Sequence, residues 1–307
     1  MRFIYPIFGL IVTIGLVFGC TKKESSPAQT TFTSPEDAVV ALVDALKAND
    51  SAQLTNILGP DSRKILSSGD DIADKQAREV FLAAYAEKAQ LGTEGDHTIL
   101  SIGAEEWPVP IPLIKDGTSW RFDTAAGMQE VLFRRIGNNE LTTLQLCRTY
   151  VDAQKEYASI GHDGKARGIY ARKFASSPGK QDGLYWKSDD PNGKSPLGDL
   201  AAQAASDGYS KSEGKPAPFY GYYFRILTRR GSSAPGGTLD YMVNGEMQKG
   251  FALIAYPAEY KNSGVMTFIV DDKGTTYQKD LGPETAKVAS EMDVFDPDSS
   301  WEKAESE

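Results

Sequence analysis

The sequence predicts an α+β protein in two parts behind an apolar leader. Three observations carry that expectation. Apolar residues recur at three- and four-residue steps in several blocks, the longest being 140–159. Alternating or continuous apolar runs bounded by Gly, Asp and Asn follow the helical blocks, as antiparallel strands require. Ahead of both, residues 3–19 are apolar except for Thr13, behind the lone charge of Arg2.

A positive start, an apolar stretch and a small residue at the cleavage point make an export signal. Val17-Phe18-Gly19-Cys20 resembles a lipobox, with Leu16 and Val17 as the aliphatic approach. Residues 1–19 are therefore expected to be removed, and Cys20 to be the lipidated N-terminus. An uncleaved anchor is the alternative, but the run is at the short limit for spanning a membrane. Thr21 stands where an Asp would retain a lipoprotein at the inner membrane. In a Gram-negative host the expectation is thus the outer membrane, facing the periplasm. The lipid would be the membrane contact, at about 0.8 kcal/mol per buried methylene. Residues 20–31 read as a hydrophilic tether.

Removing nineteen of 307 residues leaves 288, enough for two modest domains, placed at 32–137 and 138–307. The formal net charge of −9 falls to −10 without Arg2, and no long basic run offsets it. Nucleic acid is not an expected partner. With Cys20 lipidated, Cys147 has no cysteine left to pair with, and only His97 and His162 supply imidazoles. This leaves little material for a metal site, and neither metal nor cofactor is expected.

The first domain opens on Ser34-Pro35-Glu36-Asp37, an N-cap, a first-turn proline and acids at the positive helix end. Ala38, Val39, Leu42, Val43 and Leu46 form its apolar face. Helices follow at 52–58, stopped by Gly59-Pro60, and at 72–90, with Val80, Phe81, Ala84 and Tyr85 inward. Strands are expected at 97–103, 109–115 and 119–123, where Trp120 and Phe122 alternate. That order is similar to the small nuclear-transport-factor-like or cystatin-like folds.

A helix over 124–136 should break at Gly137-Asn138-Asn139 before the long helix 140–159. Leu141, Leu144, Cys147, Val151, Gln154 and Ala158 form the apolar stripe of that helix, making Cys147 a buried structural thiol. Residues 164–218 are rich in Gly, Pro, Ser and Lys, with short helices near 167–174 and 197–206. Strands at 222–229, 239–243, 250–256, 265–271 and 275–279 and a helix at 283–292 precede an acidic tail. A long helix, an irregular loop and a meander follow the order of pilin-like domains.

Several segments are more specific. They include Trp107-Pro108-Val109-Pro110-Ile111-Pro112, Arg135-Ile136-Gly137-Asn138-Asn139-Glu140-Leu141 and Pro178-Gly179-Lys180-Gln181-Asp182-Gly183-Leu184-Tyr185-Trp186. Tyr256-Pro257-Ala258-Glu259-Tyr260 adds to them. Together they resemble the bacterial family catalogued as domain of unknown function 2950, over about residues 32–301. Its members are exported, often as lipoproteins, and the resemblance implies no activity.

Two groups of residues are candidates for chemistry. His162 and Asp163, beside Ser176 and Ser177, could form an oriented general base and its nucleophile, which would make an envelope hydrolase. The simpler reading of His162-Asp163-Gly164 is a turn at a helix end. Lys180, Asp182, Tyr185 and Trp186 are the candidate binding residues of the loop. Of the aromatic set Tyr185, Trp186, Phe219, Tyr220, Tyr222, Tyr223 and Tyr241, most are expected in the core. Asp271-Asp272-Lys273-Gly274 has too few oxygen ligands for calcium and reads as a hairpin turn. The functional expectation is a non-enzymatic envelope module binding a small ligand or a protein partner. An accessory role in a pilin-like or secretion assembly is the further alternative.

Overall fold

A computed structural model describes residues 29–188, 194–206, 209 and 217–304. The leader, Cys20 and all but the end of the expected tether lie outside these residues. Gln29 is already part of the fold: its side-chain amide donates to the carbonyls of Ile57 and Phe122 at 2.9 and 2.8 Å.

The N-terminal part begins with α1 (Pro35–Ala48), capped by Ser34, whose hydroxyl accepts from Asp37 N at 3.1 Å. Its buried face is Ala38, Val39, Leu42, Val43 and Ala45. α2 (Ser51–Leu58), the short α3 (Arg63–Leu66) and α4 (Asp71–Glu87) follow. Five strands then form one antiparallel sheet: β1 (Ala89–Glu94), β2 (His97–Ile102), β3 (Trp107–Pro108), β4 (Leu113–Asp116) and β5 (Ser119–Phe122). The order is β1-β2-β4-β5, with β3 on β2.

Three expectations fail in this part. The helix expected through residue 90 ends at Glu87, because Ala89–Glu94 pairs with β2 in full register. Ladder bonds override a helical pattern there, and the pairing partner is invisible in a local window. Val80, expected inward, is 69 % exposed, and α4 has no fully buried residue. The strand expected at 109–115 begins only at Leu113, since Pro110 and Pro112 have no N–H to give a ladder.

The larger correction concerns the middle of the chain. No break occurs at Gly137-Asn138-Asn139: α5 (Thr124–Ser159) runs unbroken for 36 residues, about 54 Å. A helical glycine costs only about 1 kcal/mol, and tertiary bonds offset it. Arg135 donates to the carbonyls of Lys64 and Ile65 and to Asn262 Oδ1, at 2.9, 2.5 and 2.6 Å. Asn139 donates to Ser263 O at 2.9 Å, and Glu140 accepts from Val265 N and Met266 N at 2.9 and 3.0 Å. The expected boundary at 137/138 falls in mid-helix, with one apolar core toward each end. Leu141, placed on the inward stripe, is 62 % exposed.

After α5 the described residues 160–188 and 194–197 hold no helix, and α6 (Gly198–Ser206) follows. The helix expected near 167–174 is absent; Tyr170 bridges to Met247 and Ala175 to Tyr185 instead. The remaining strands are β6 (Tyr222–Leu227), β7 (Arg229–Arg230), β8 (Leu239–Asp240), β9 (Met242–Val243), β10 (Glu246–Met247), β11 (Ala252–Pro257), β12 (Met266–Asp271) and β13 (Thr276–Asp280). α7 (Thr285–Glu291), β14 (Val294–Phe295) and β15 (Glu302–Lys303) close the chain. The main sheet has order β15-β13-β12-β11-β6 and is antiparallel throughout. The β9–β10 turn is Asn244-Gly245, both at positive φ, as a two-residue hairpin loop demands.

The acidic tail is a second correction. Val294 and Phe295 pair in parallel with Arg229 and Arg230, Phe295 is fully buried, and Glu302 and Lys303 add an edge to β13. Phe295, with Trp301 packed against the same core, anchors a segment whose composition reads as solvated. The class is α+β, as the periodicities predict.

Candidate functional site

The last turn of α5 places Tyr157, and the chain leaves the helix at Ile160. Gly161 is required there, since a Cβ would lie 2.2 Å from the carbonyl of Lys165. His162, Asp163 and Gly164 then turn the chain, with Asp163 and Gly164 in the left-handed region and Lys165 N donating to His162 O at 2.9 Å. Gln154, fully buried in α5, fixes the return segment. Its amide donates to Ala171 O at 2.8 Å and its carbonyl accepts from Ala171 N at 2.9 Å.

His162 is 9 % exposed and stacks on Tyr157, with ring centroids 4.1 Å apart at 18°. Trp186 tilts against the same imidazole at 5.3 Å. Nε2 lies 3.0 Å from the carbonyl of Tyr157, which can only accept, so Nε2 carries hydrogen. Nδ1 lies 3.1 Å from the side-chain oxygen Oε1 of Gln181. The Tyr157 hydroxyl donates to Gln181 O at 2.6 Å, and burial, before the charges of Asp163 and Asp182, pushes its pKa up to about 12. Asp163 accepts from Gln181 N at 2.9 Å. The histidine and aspartate thus converge on Gln181 from two sides, and neither ring nitrogen is hydrogen-bonded to Asp163 among the described residues.

The two serines are also committed. Ser176 exchanges hydrogen bonds with the backbone of Gly183. Ser177 Oγ accepts from Lys173 Nζ at 2.9 Å and donates to Asp182 Oδ2 at 3.0 Å, while Lys173 Nζ lies 2.7 Å from Asp182. The Lys173 hydrogen bond, then that from Ser177 N, holds the Asp182 carboxyl well below the usual carboxylate range. A carboxylate so stabilised is a poor base, and a lysine neutralising it is a poor one too. This triad closes the loop between Lys173 and Asp182.

Some of these residues line a cavity of about 290 Å³. His162, Asp163 and Asp182 reach it from the expected set, with Tyr157 and Lys173 beside them. Lys180 is exposed and only its backbone closes a turn on Ser177. Tyr185 and Trp186, expected as a surface contact, are half-buried against the C-terminal core, with Trp186 behind the imidazole. Tyr222 and Tyr241 are core, and both are fully buried. Sequence reading missed Tyr170, Arg172 and Glu246 in the cavity wall. No local signal could bring Glu246 here, because it arrives on the β9–β10 hairpin.

The wall contains spent and unspent polar groups. Lys165 pairs with Glu246 at 3.4 Å, and Lys173 with Asp182. Arg172 gives one Nη1 bond to Gly245 O at 3.1 Å, and its other nitrogens have no partner among the described residues. Asp163 Oδ1 and the Tyr170 hydroxyl are likewise without a hydrogen bond among those residues. Cys147 is fully buried, and burial pushes its thiol up to about 12, so it is structural. Among the described residues no group of three His, Cys, Asp or Glu could hold a metal ion. Asp271 Oδ1 instead accepts from Lys273 N and Thr275 N in the β12–β13 turn.

Fold and site together define an α+β protein whose two apolar cores share one helix, with a polar cavity at that helix's C-terminal end. The chain belongs to the family described as Protein of unknown function (DUF2950), whose model matches residues 29–304. No curated protein and no solved structure matches it.

Proposed function

We propose that the chain is an exported, lipid-anchored envelope protein that binds a small ligand carrying both charges, such as an amino acid or short peptide. The observation that carries the ligand reading is the unspent set in the cavity wall. Arg172 offers a planar donor fork suited to a carboxylate, Asp163 an acceptor suited to an ammonium group, and Tyr170 a hydroxyl between classes. Gln181 takes Asp163 Oδ2 and Gly245 takes Arg172 Nη1, which leaves Asp163 Oδ1, the other Arg172 nitrogens and the Tyr170 hydroxyl without a hydrogen bond among the described residues. A volume near 300 Å³ suits a ligand of small-molecule size. The leader and Cys20 support the anchoring, and Thr21 supports an outer-membrane, periplasm-facing position.

Titration calorimetry with free amino acids, dipeptides and amino sugars tests the site. At least one is expected to bind, with Arg172→Ala weakening it about tenfold or more and leaving the melting temperature unchanged. Binding unaffected by both Arg172→Ala and Asp163→Asn would overturn the site. Metabolic labelling with a fatty acid tests the anchor: label is expected on the wild type and absent from Cys20→Ala. Label persisting in that variant would remove the lipid reading.

A further inference from the structure

Phe133 and Leu141 are the exposed large apolar residues of α5, at 74 % and 62 %. They lie four residues to either side of Gly137, and a Cβ built on Gly137 would meet nothing within 4 Å. Gln129 and Gln145, both exposed, extend the row by one step at each end. Positions 129, 133, 137, 141 and 145 therefore read Gln-Phe-Gly-Leu-Gln, nearly the same in either direction. The row faces away from the junction of the two cores, because Arg135 and Asn139 are bound on the opposite side of the helix.

A cyclic dimer requires a patch that is its own complement. With a two-fold axis at Gly137, two antiparallel copies of α5 set Phe133 of each against Leu141 of the other. The two glycines then meet where no side chain keeps the backbones apart. Positions four apart form a helix ridge, and two such ridges interlock at a crossing angle of about −50°. None of the five residues is charged; the exposed Glu130–Arg134 ion pair and Arg148 flank the row. We propose that this row is a self-association surface, whose partner is a second copy of this chain. A single helix ridge covers less than the roughly 800 Å² per partner of a standard interface, so the dimer is weak, at micromolar concentrations.

Sedimentation velocity on the full chain in detergent, over a wide concentration range, tests the pairing. The wild type is expected to pass from monomer to dimer, and Phe133→Glu to raise the dimer Kd by about tenfold or more. Adding Leu141→Lys to Phe133→Glu should restore dimerisation, because the two positions face each other only across the two-fold axis. Both side chains are exposed, so unchanged circular dichroism and melting temperature confirm that the variants fold. A wild type that stays monomeric overturns the proposal. So does a Phe133→Glu variant that associates as the wild type does, which is the outcome if the N-terminal segment drives association. A double variant as weak as the single one overturns the antiparallel register, and the proposal with it.

Discussion

In the N-terminal core the central strand β2 alternates half-buried and buried residues, so its sheet has one covered face. In the C-terminal core β11 and β12 are buried at nearly every position, so that sheet is covered on both. Helix α5 and the loop after it pack on the C-terminal core, while α7 and β14 lie near β11 and β12. The N-terminal sheet has α1 and α2 against β5, with α4 half-exposed over β1 and β2. The difference shows in an apolar groove between α4 and β3, where Val80 and Trp107 remain 69 % and 59 % exposed. A two-sided sheet is fixed by enclosure, whereas a one-sided sheet depends on its edges and on its attachment to the rest of the molecule.

The largest expected effect is in the enclosed sheet. Phe268→Ala, at a site 1 % exposed beside the ring of Tyr222, should cost about 3–5 kcal/mol. Scanning calorimetry should show it lowering one cooperative transition, since α5 joins both cores. Two separate transitions in the wild type would show that the cores melt independently.

Arg135→Ala attacks the attachment instead. It leaves the carbonyls of Lys64 and Ile65 and the Asn262 side chain without their donor, at a cost of about 2–3 kcal/mol. The expected signature is a transition that splits in two. The buried carboxylate of Asp70 makes a second tie, accepting from Tyr209 Oη and Gly221 N at 2.9 Å each. If Arg135→Ala still melts as one unit, that tie and the helix itself are sufficient.

His162→Ala should cost about 1–2 kcal/mol through two lost hydrogen bonds, read as a lower melting temperature. Limited proteolysis should place the loosening in residues 160–186. Intact stability together with a lost activity would instead support a catalytic histidine. A smaller effect belongs to Asp182, whose folded pKa lies below its unfolded value of about 3.9. Its contribution is complete above that value and is lost as pH falls toward the lower folded value. Because the ion pair with Lys173 is half-exposed, it is worth under about 1 kcal/mol. Denaturant melts of wild type and Asp182→Asn should differ at pH 7 and converge in acid. Val80→Ser, on the open side of α4, should change stability by no more than about 0.5 kcal/mol.

Much of the fold is legible locally. The Ser34 cap, the apolar face of α1, the meander β11–β12–β13 and the burial of Cys147 all follow from neighbours within a few residues. Of the site, the His162-Asp163-Gly164 turn is readable, because it sits beside a helix end. Arg172 gave no such signal, since its place depends on Gln154 holding Ala171 seventeen residues away. Glu246 depended on a hairpin pairing with Tyr170.

By itself, then, the sequence determined the α+β class, the helix caps, the strand periodicities and the family resemblance, all of which arise from short-range geometry and residue type. Long-range contacts make α5 continuous, anchor the C-terminal segment, and turn His162 and Asp163 toward Gln181 instead of each other. Those outcomes turn on hydrogen bonds between residues up to 127 positions apart, as Arg135 and Asn262 are. Such bonds outweigh the modest local preference for a break at glycine and asparagine, and no local window contains them.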